Sequence, residues 1–260
     1  MARILALALI PLTAGCATAS LDQWRLVDLT HTLDRQTIFW PTESGFERQE
    51  RHAGLTAKGF YYAAGSFCSP EHGGTHIDAP IHFHEGRDTV EQIPLSRLVG
   101  PGAVVDVTAA CAADRDYQVT IEDLLGWEAQ HGLSLTGRII FLKTGYGRFW
   151  PDRVQYMGTD ERGEEAVAKL HFPGLHPDAA RWIAEQRTVK AVGLDTPSID
   201  YGQSTHFQSH VTLFTHNIPA FENVANLDQL PGHGFEVVAL PMKIGGGSGG
   251  PIRIVAFLRN

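Results

Sequence analysis

The 260-residue chain is poor in cysteine and in positive charge, and it has no apolar run long enough to cross a bilayer. Its three cysteines, Cys16, Cys68 and Cys111, all lie outside the segment richest in histidine, which argues against a soft, thiolate-built metal centre. Lys and Arg number 21 against 29 Asp and Glu, the formal charge is −8, and no basic cluster stands out. Nucleic acid is therefore a poor partner, because phosphate backbones are held by Lys and Arg. Neither a linker nor an internal repeat is visible, and at 43% hydrophobic the chain can bury a sizeable core. A small neutral or weakly charged ligand suits this surface better than a polyanion.

What the chain does have is a dense histidine segment. His72-Gly73-Gly74-Thr75-His76-Ile77-Asp78-Ala79-Pro80-Ile81-His82-Phe83-His84 places four imidazoles and a carboxylate in thirteen positions. Imidazole and carboxylate together suit a borderline or hard dication such as Zn²⁺ or Mn²⁺. His72 and His76 have the spacing of a helical metalloprotease pair, but Gly follows the first His where that motif needs Glu, and Gly73, Gly74 and Pro80 oppose a helix. A glycine turn running into an extended stretch is the better reading. Alternate side chains of a strand share a face, so His76, Asp78 and His82 are expected on one side and Ile77 and Ile81 on the other. Gly73 and Gly74 then let His72 bend back onto the same ion. His72, His76 and Asp78 are the expected ligands, a set of three that leaves room for water and substrate. His82 is the expected proton-transfer base. His84 falls to an outer position or the surface. A histidine-rich solvated loop is the plain alternative.

The string from His72 to Phe83 resembles the signature of the metal-dependent cyclase-like amidohydrolases, a family that includes bacterial kynurenine formamidases and isatin hydrolases. Further matching segments are Leu142-Lys143-Thr144-Gly145-Tyr146, Gly193 to Asp200, Phe221 to Leu227 and Leu240 to Gly246, so the likeness runs from about Leu26 to the C-terminus. The resemblance implies a single compact α/β domain of the swivelling β/β/α kind, with a mixed sheet and flanking helices. It implies that His72, His76 and Asp78 hold metal and that His82 is catalytic. Members with two metals add a His and a Glu twelve apart, the spacing of His210 and Glu222. Isatin hydrolases look like single-manganese enzymes. His210 and Glu222 are thus left to a second ion or to substrate and water, with Mn²⁺ favoured over Zn²⁺. A homo-oligomer is also implied.

Residues 1–19 read as an export signal: Arg3, the apolar run Ile4 to Leu12, then small residues through Ala19. Ala17-Thr18-Ala19 is a small-x-small cleavage site, and Leu12 to Cys16 resembles a lipoprotein box, which would anchor the chain through Cys16. A periplasmic location is expected, with residues 21–260 forming the hydrolase domain. There Cys68 and Cys111 could pair or stay free, and Cys68 is expected to pack rather than to ligate.

Strands are expected at Leu26–Leu29, 102–107, 138–142, 189–194 and 252–258. Helices are expected to open at Thr120 and at His176-Pro177, and a third is expected over Ser204–His216. Alternating elements make the class α/β. Aromatic residues such as Phe60, Tyr61 and Tyr62 are expected mainly in the core, whereas Phe39 and Trp40, before Pro41, are expected to line a substrate pocket. Asp195 and Asp200 read at least as well as turn and cap residues as functional ones. The glycine run 245–250 lacks the Lys and helix of a phosphate loop and reads as a tight connection.

The expected reaction is hydrolysis of an amide bond in a small aromatic cyclic amide, isatin to isatinate first. N-formylkynurenine is the second candidate substrate. A non-catalytic periplasmic metal- or solute-binding protein is the alternative of another class. The export signal and the Phe39-Trp40-Pro41 segment favour isatin over the formamide.

Overall fold

The computed structural model describes residues 23–259, so the signal and Cys16 lie outside the described residues. The strands, in chain order, are β1 (Trp24–Asp28), β2 (Glu47–Leu55), β3 (Tyr61–Cys68), β4 (His76–Asp78), β5 (Val99–Asp106), β6 (Gln118–Val119), β7 (Ile139–Lys143), β8 (Gly174–Leu175), β9 (Ala191–Leu194), β10 (Ala220–Glu222), β11 (Phe235–Pro241) and β12 (Gly249–Arg259). Eight form one mixed sheet in the order β1-β12-β11-β5-β7-β9-β10-β4, and β4 also pairs with β12, so the sheet closes on itself. The β5-β7-β9-β10 pairings are parallel, and those of β4 with β10 and β12 are antiparallel. This is the expected α/β class with a mixed sheet and flanking helices.

Closure produces two apolar compartments. Ile77, Phe141, Phe221, Val237 and Ile254 fill the inside of the closed sheet. On the outer side of the parallel strands, Val105, Ile140, Leu142 and Val192 meet Leu124, Ile183 and Phe214 from the helices. The parallel strands are buried on both faces, which is why they read as unbroken apolar runs in place of alternating ones. The helix Ile121–His131 starts on a Thr120/Asp123 capping box and ends at the left-handed Gly132, as expected from the residues there. His176 caps the helix Pro177–Gln186, with Pro177 at its first position.

The structure corrects four expectations. Ser204–His216 is helical only over Gln208–Thr215, because Phe207 adopts a left-handed conformation and breaks the helix before it. His206 therefore falls off the helix and is exposed. The next strand begins at Val99, taking in Gly100 and Pro101, which had read as its boundary; Pro101 pairs with Glu236 at one end of the β11 ladder. Phe60, Tyr61 and Tyr62 are exposed, not core, because β2 and β3 pair only with each other and nothing in the described chain covers the ribbon. Cys68 is likewise exposed at the end of that ribbon, not packed, while Cys111 is buried; both are free thiols.

Among the described residues no helix is long and apolar enough to cross a membrane.

Candidate active site

Every residue of β4 is buried, and the strand is held on both edges: His76 stands opposite Glu222 of β10 and opposite Pro251 of β12. Pairing of this kind places two carboxylates and an imidazole at one dry junction. The chain enters β4 through Gly74, whose φ of +58° belongs to the left-handed region that glycine tolerates. At Gly73 a Cβ would run into the Phe39 ring. These two glycines are what turn His72 back over the strand.

His82 does not share the strand with His76 and Asp78. β4 ends at Asp78, and Pro80–His82 forms a 3-10 turn, because Pro80 has no N–H to continue a ladder and the His82 N–H donates to the Ala79 carbonyl at 2.9 Å. The turn still brings His82 to the site, its ring stacked on His72 with centroids 3.8 Å apart and an interplanar angle of 19°. One ligand atom from each of His72, Asp78 and His82 falls within 4.8 Å of the others, and the same holds for His76, Asp78 and Glu222.

Hydrogen bonds set the orientation of the His76 and His72 imidazoles. His76 Nδ1 lies 2.9 Å from the Gly74 carbonyl, which can only accept, so that nitrogen carries a proton and Nε2 is the one that can offer a lone pair to an ion. Asn223 Nδ2 donates to the same carbonyl at 2.8 Å, and the buried Tyr156 hydroxyl donates to Asn223 Oδ1 at 2.9 Å. His76 Nε2 is buried, has no hydrogen-bond partner, and faces Asp78 Oδ1 at 3.1 Å and Glu222 Oε2 at 3.6 Å. His72 Nδ1 faces the same Asp78 oxygen at 2.8 Å, while its Nε2 meets Ser248 Oγ at 2.9 Å. Two imidazole nitrogens thus converge on one carboxylate oxygen. Left without positive charge among them, these buried acceptors would face one another at about 1–3 kcal/mol each, more when charged, so the arrangement calls for a cation or for protons there.

His210 comes from the helix Gln208–Thr215 and is ringed by acid groups: Asp200 Oδ2 at 2.6 Å from Nδ1, and Glu222 Oε1 at 3.0 Å and Asp78 Oδ2 at 3.2 Å from Nε2. Glu222 also accepts from the Ile199 N–H at 2.8 Å.

The electrostatics match this picture. Burial lowers the affinity of His76 for a proton, but the Asp78 and Glu222 carboxylates outweigh it and raise its pKa to about 9. Burial likewise opposes the charge on His210, yet Asp200, Asp78 and Glu222 hold its pKa well above the ordinary value. Asp78 would be raised by burial, but the surrounding imidazoles of His210, His72 and His76 hold it well below the usual range. Glu222 is raised, by burial and by the Asp78 charge. The junction is an anionic hollow that draws in positive charge. His82 is the exception: burial, helped by the neighbouring imidazoles, lowers it to about 3 against the pull of Asp78. It is a neutral imidazole at physiological pH.

The hollow opens into a cavity of about 230 Å³. Phe39 and Trp40 both line it; Phe39 is 2% exposed and mainly supports Gly73. Phe83 and Phe207 complete the aromatic wall, with centroids 5.1 Å apart and Trp40 6.4 Å from Phe207. Glu43 adds a carboxylate to the lining.

Asp195 and Asp200 read equally as caps and as functional residues, and the structure separates them, whereas Phe207, Glu71 and Ser248 escaped the sequence reading. Asp200 is a buried partner of His210 and also caps the following helix through the Ser209 N–H, so it is both a cap and part of the site. Asp195 is the structural one: it accepts from the Thr144 N–H and hydroxyl and from Gly145 N–H. Phe207 gave a periodic signal that pointed to a helix, and Glu71 only its adjacency to His72. Ser248 had no signal beyond being the one polar residue in a glycine run. His84 makes a local contact to the Glu85 carbonyl and does not reach the site.

Residues 27–201 match the Cyclase family model, whose description is Putative cyclase. Isatin hydrolase from Roseibium aggregatum is 32% identical over 196 residues, 72% of each protein. Kynurenine formamidase from Salinibacter ruber is 29% identical over 236 residues, covering 88% of this chain and 96% of that one. The solved structure of isatin hydrolase A from Labrenzia aggregata, bound to benzyl benzoate, superimposes with a TM-score of 0.82 at 31% identity, covering 92% of this chain and 95% of that one.

Proposed function

The chain belongs to the Cyclase family, and from that premise we propose that it hydrolyses an amide bond in a small aromatic cyclic amide, isatin to isatinate first, with one divalent cation at the β4 junction. The observation that carries the metal is the convergence of His72 Nδ1 and His76 Nε2 on Asp78 Oδ1. All three groups would hold the ion. The likeness to isatin hydrolase keeps Mn²⁺ ahead of Zn²⁺, and two imidazoles with a carboxylate can hold either ion. When bound, such an ion polarises a carbonyl and lowers the pKa of water towards neutrality.

The rest of the chemistry belongs to the protein. His82, stacked beside His72 at the mouth of the hollow, is placed to take a proton from the attacking water and to pass it to the leaving nitrogen. Phe83, Phe207 and Trp40 pack an aromatic ring against the opening and exclude bulk water from it. His210, held between Asp200, Glu222 and Asp78, supplies a fixed positive charge. That charge is why one ion suffices: an imidazolium and a dication together balance three buried carboxylates.

The similarity to isatin hydrolase favours isatin, and the aromatic wall is consistent with a flat bicyclic ring. The similarity to kynurenine formamidase keeps N-formylkynurenine as the second substrate. Purified protein loaded with Mn²⁺ is expected to bleach the isatin chromophore with first-order dependence on enzyme. Turnover of N-formylkynurenine at a higher kcat/KM than isatin would assign the second substrate. Mn²⁺ bound without turnover of either would assign a metal- or solute-binding protein.

A further inference from the structure

The glycine run 245–250 is not a passive connection. Its backbone is tied to the site segment, with the Ala79 N–H donating to the Ser248 carbonyl at 2.8 Å and the Val90 N–H to the Gly247 carbonyl at 3.0 Å. Gly249 stands opposite Asp78 in the β12–β4 pairing, and it lies so close to His72 that a Cβ there would run into the ring. The one side chain this run aims inward is Ser248. Its Oγ is 2.6 Å from Glu71 Oε2 and 2.9 Å from His72 Nε2, and the same Glu71 oxygen accepts from the Ser248 N–H at 2.9 Å.

These distances fix the proton on the far side of the His72 ring. A carboxylate has no proton to give, so the short contact to Glu71 is made by the serine's only hydroxyl proton. Ser248 Oγ can then only accept from His72, which places the imidazole proton on Nε2. Nδ1 is then the nitrogen that can offer a lone pair to a cation, and it is the one that faces Asp78. Metal-ligating histidines are commonly oriented in this way by a carboxylate, carbonyl or water on the far nitrogen. Here the orienting group is a carboxylate acting through a serine 176 residues away from its histidine.

We infer that Glu71 and Ser248 are positioning residues that lock His72 in the tautomer and ring orientation needed to bind the cation through Nδ1. The inference rests on the proposed metal reading. It explains why a rigid, glycine-flanked serine stands at the point where β12 begins, and why His76, held by Gly74, needs no such partner.

The test is Mn²⁺ affinity of the full chain, measured by isothermal titration or chelator competition on wild type and variants. Loss of an orienting partner typically costs 10–100-fold in metal affinity. Ser248→Ala is expected to weaken Mn²⁺ binding by about that factor, Ser248→Thr, which keeps the hydroxyl, to restore most of it, and His72→Ala to weaken it further. Glu71→Gln is expected to fall between wild type and Ser248→Ala, because Gln keeps an acceptor oxygen but not the charge. Wild-type affinity in Ser248→Ala, with binding still lost in His72→Ala, would overturn the inference and leave the metal reading intact. Equal loss in Ser248→Ala and Ser248→Thr would overturn it too, since packing would then be responsible in place of the hydroxyl. Absence of Mn²⁺ binding in the wild type would instead overturn the metal reading itself.

Discussion

Two neighbouring stretches of this chain behave in opposite ways. β4 is three residues long, is paired on both edges, and carries an imidazole and a carboxylate that are almost wholly buried. The β2–β3 hairpin, a few residues earlier, has longer strands and pairs only with itself, and it leaves Leu55, Phe60, Tyr61, Tyr62 and Phe67 exposed. Residue chemistry alone would have put the aromatic rings inside and the charges outside. What decides burial is closure: a strand held from both sides sits inside a barrel whatever its side chains, and a ribbon with free faces stays in water unless something packs on it. Charge can be kept at the closed junction because each charged group has an opposite or hydrogen-bonding partner there, which is the condition for burying it at all.

The largest effect is expected at the junction. His76→Ala removes one of the two converging nitrogens, and both bound metal, by elemental analysis, and isatin turnover are expected to fall to background. An active variant without metal would show that the buried imidazoles serve another purpose. His82→Ala is next. The metal should stay, because Nδ1 of His72 and Nε2 of His76 are untouched, while kcat drops by about 10²-fold or more, as loss of a general base typically does. Unchanged kcat would remove His82 from the proton path.

Two substitutions compare the regions on one scale of stability. Ile77, on the face of β4 opposite His76 and Asp78, packs with Phe141 and Phe221 inside the barrel, so Ile77→Ala is expected to cost about 2–5 kcal/mol in denaturant unfolding. Phe67 is an aromatic of similar or greater size on the hairpin, 55% exposed, and Phe67→Ala is expected to change stability by no more than about 0.5 kcal/mol. A loss at Phe67 approaching that at Ile77 would mean that the ribbon face is covered in solution, and sedimentation of the variant would identify the cover as a second copy.

Much of this division was legible in the residues. The string from His72 to His82 announces a hard or borderline cation through its donor types, and the two glycines announce the bend that His72 requires. Thr120 with Asp123, and His176 with Pro177, mark helix starts by local capping chemistry, and the apolar run at Ile139–Leu142 marks a strand buried on both faces. The 3-10 turn at Pro80–His82 was foreseeable from Pro80, whose missing N–H forbids the longer strand that period-two counting favoured. The early end of the helix before Gln208 was less so, because a left-handed Phe207 is held by its packing against Trp40 and Phe83 and has no local signature.

By itself, the sequence determined which atoms are available to hold an ion, where the backbone can bend and which segments are apolar on one face or two, because donor chemistry, glycine freedom and hydrophobic period are properties of neighbours in the chain. Only the tertiary structure decided that Glu222 and His210 meet Asp78, that Ser248 reaches back to His72, that Asp195 is a structural anchor while Asp200 holds His210, and that the hairpin aromatics stay in water. The first two outcomes depend on closing β4 between β10 and β12. The contacts that closure makes join residues well over a hundred positions apart, a separation over which local propensity carries no information.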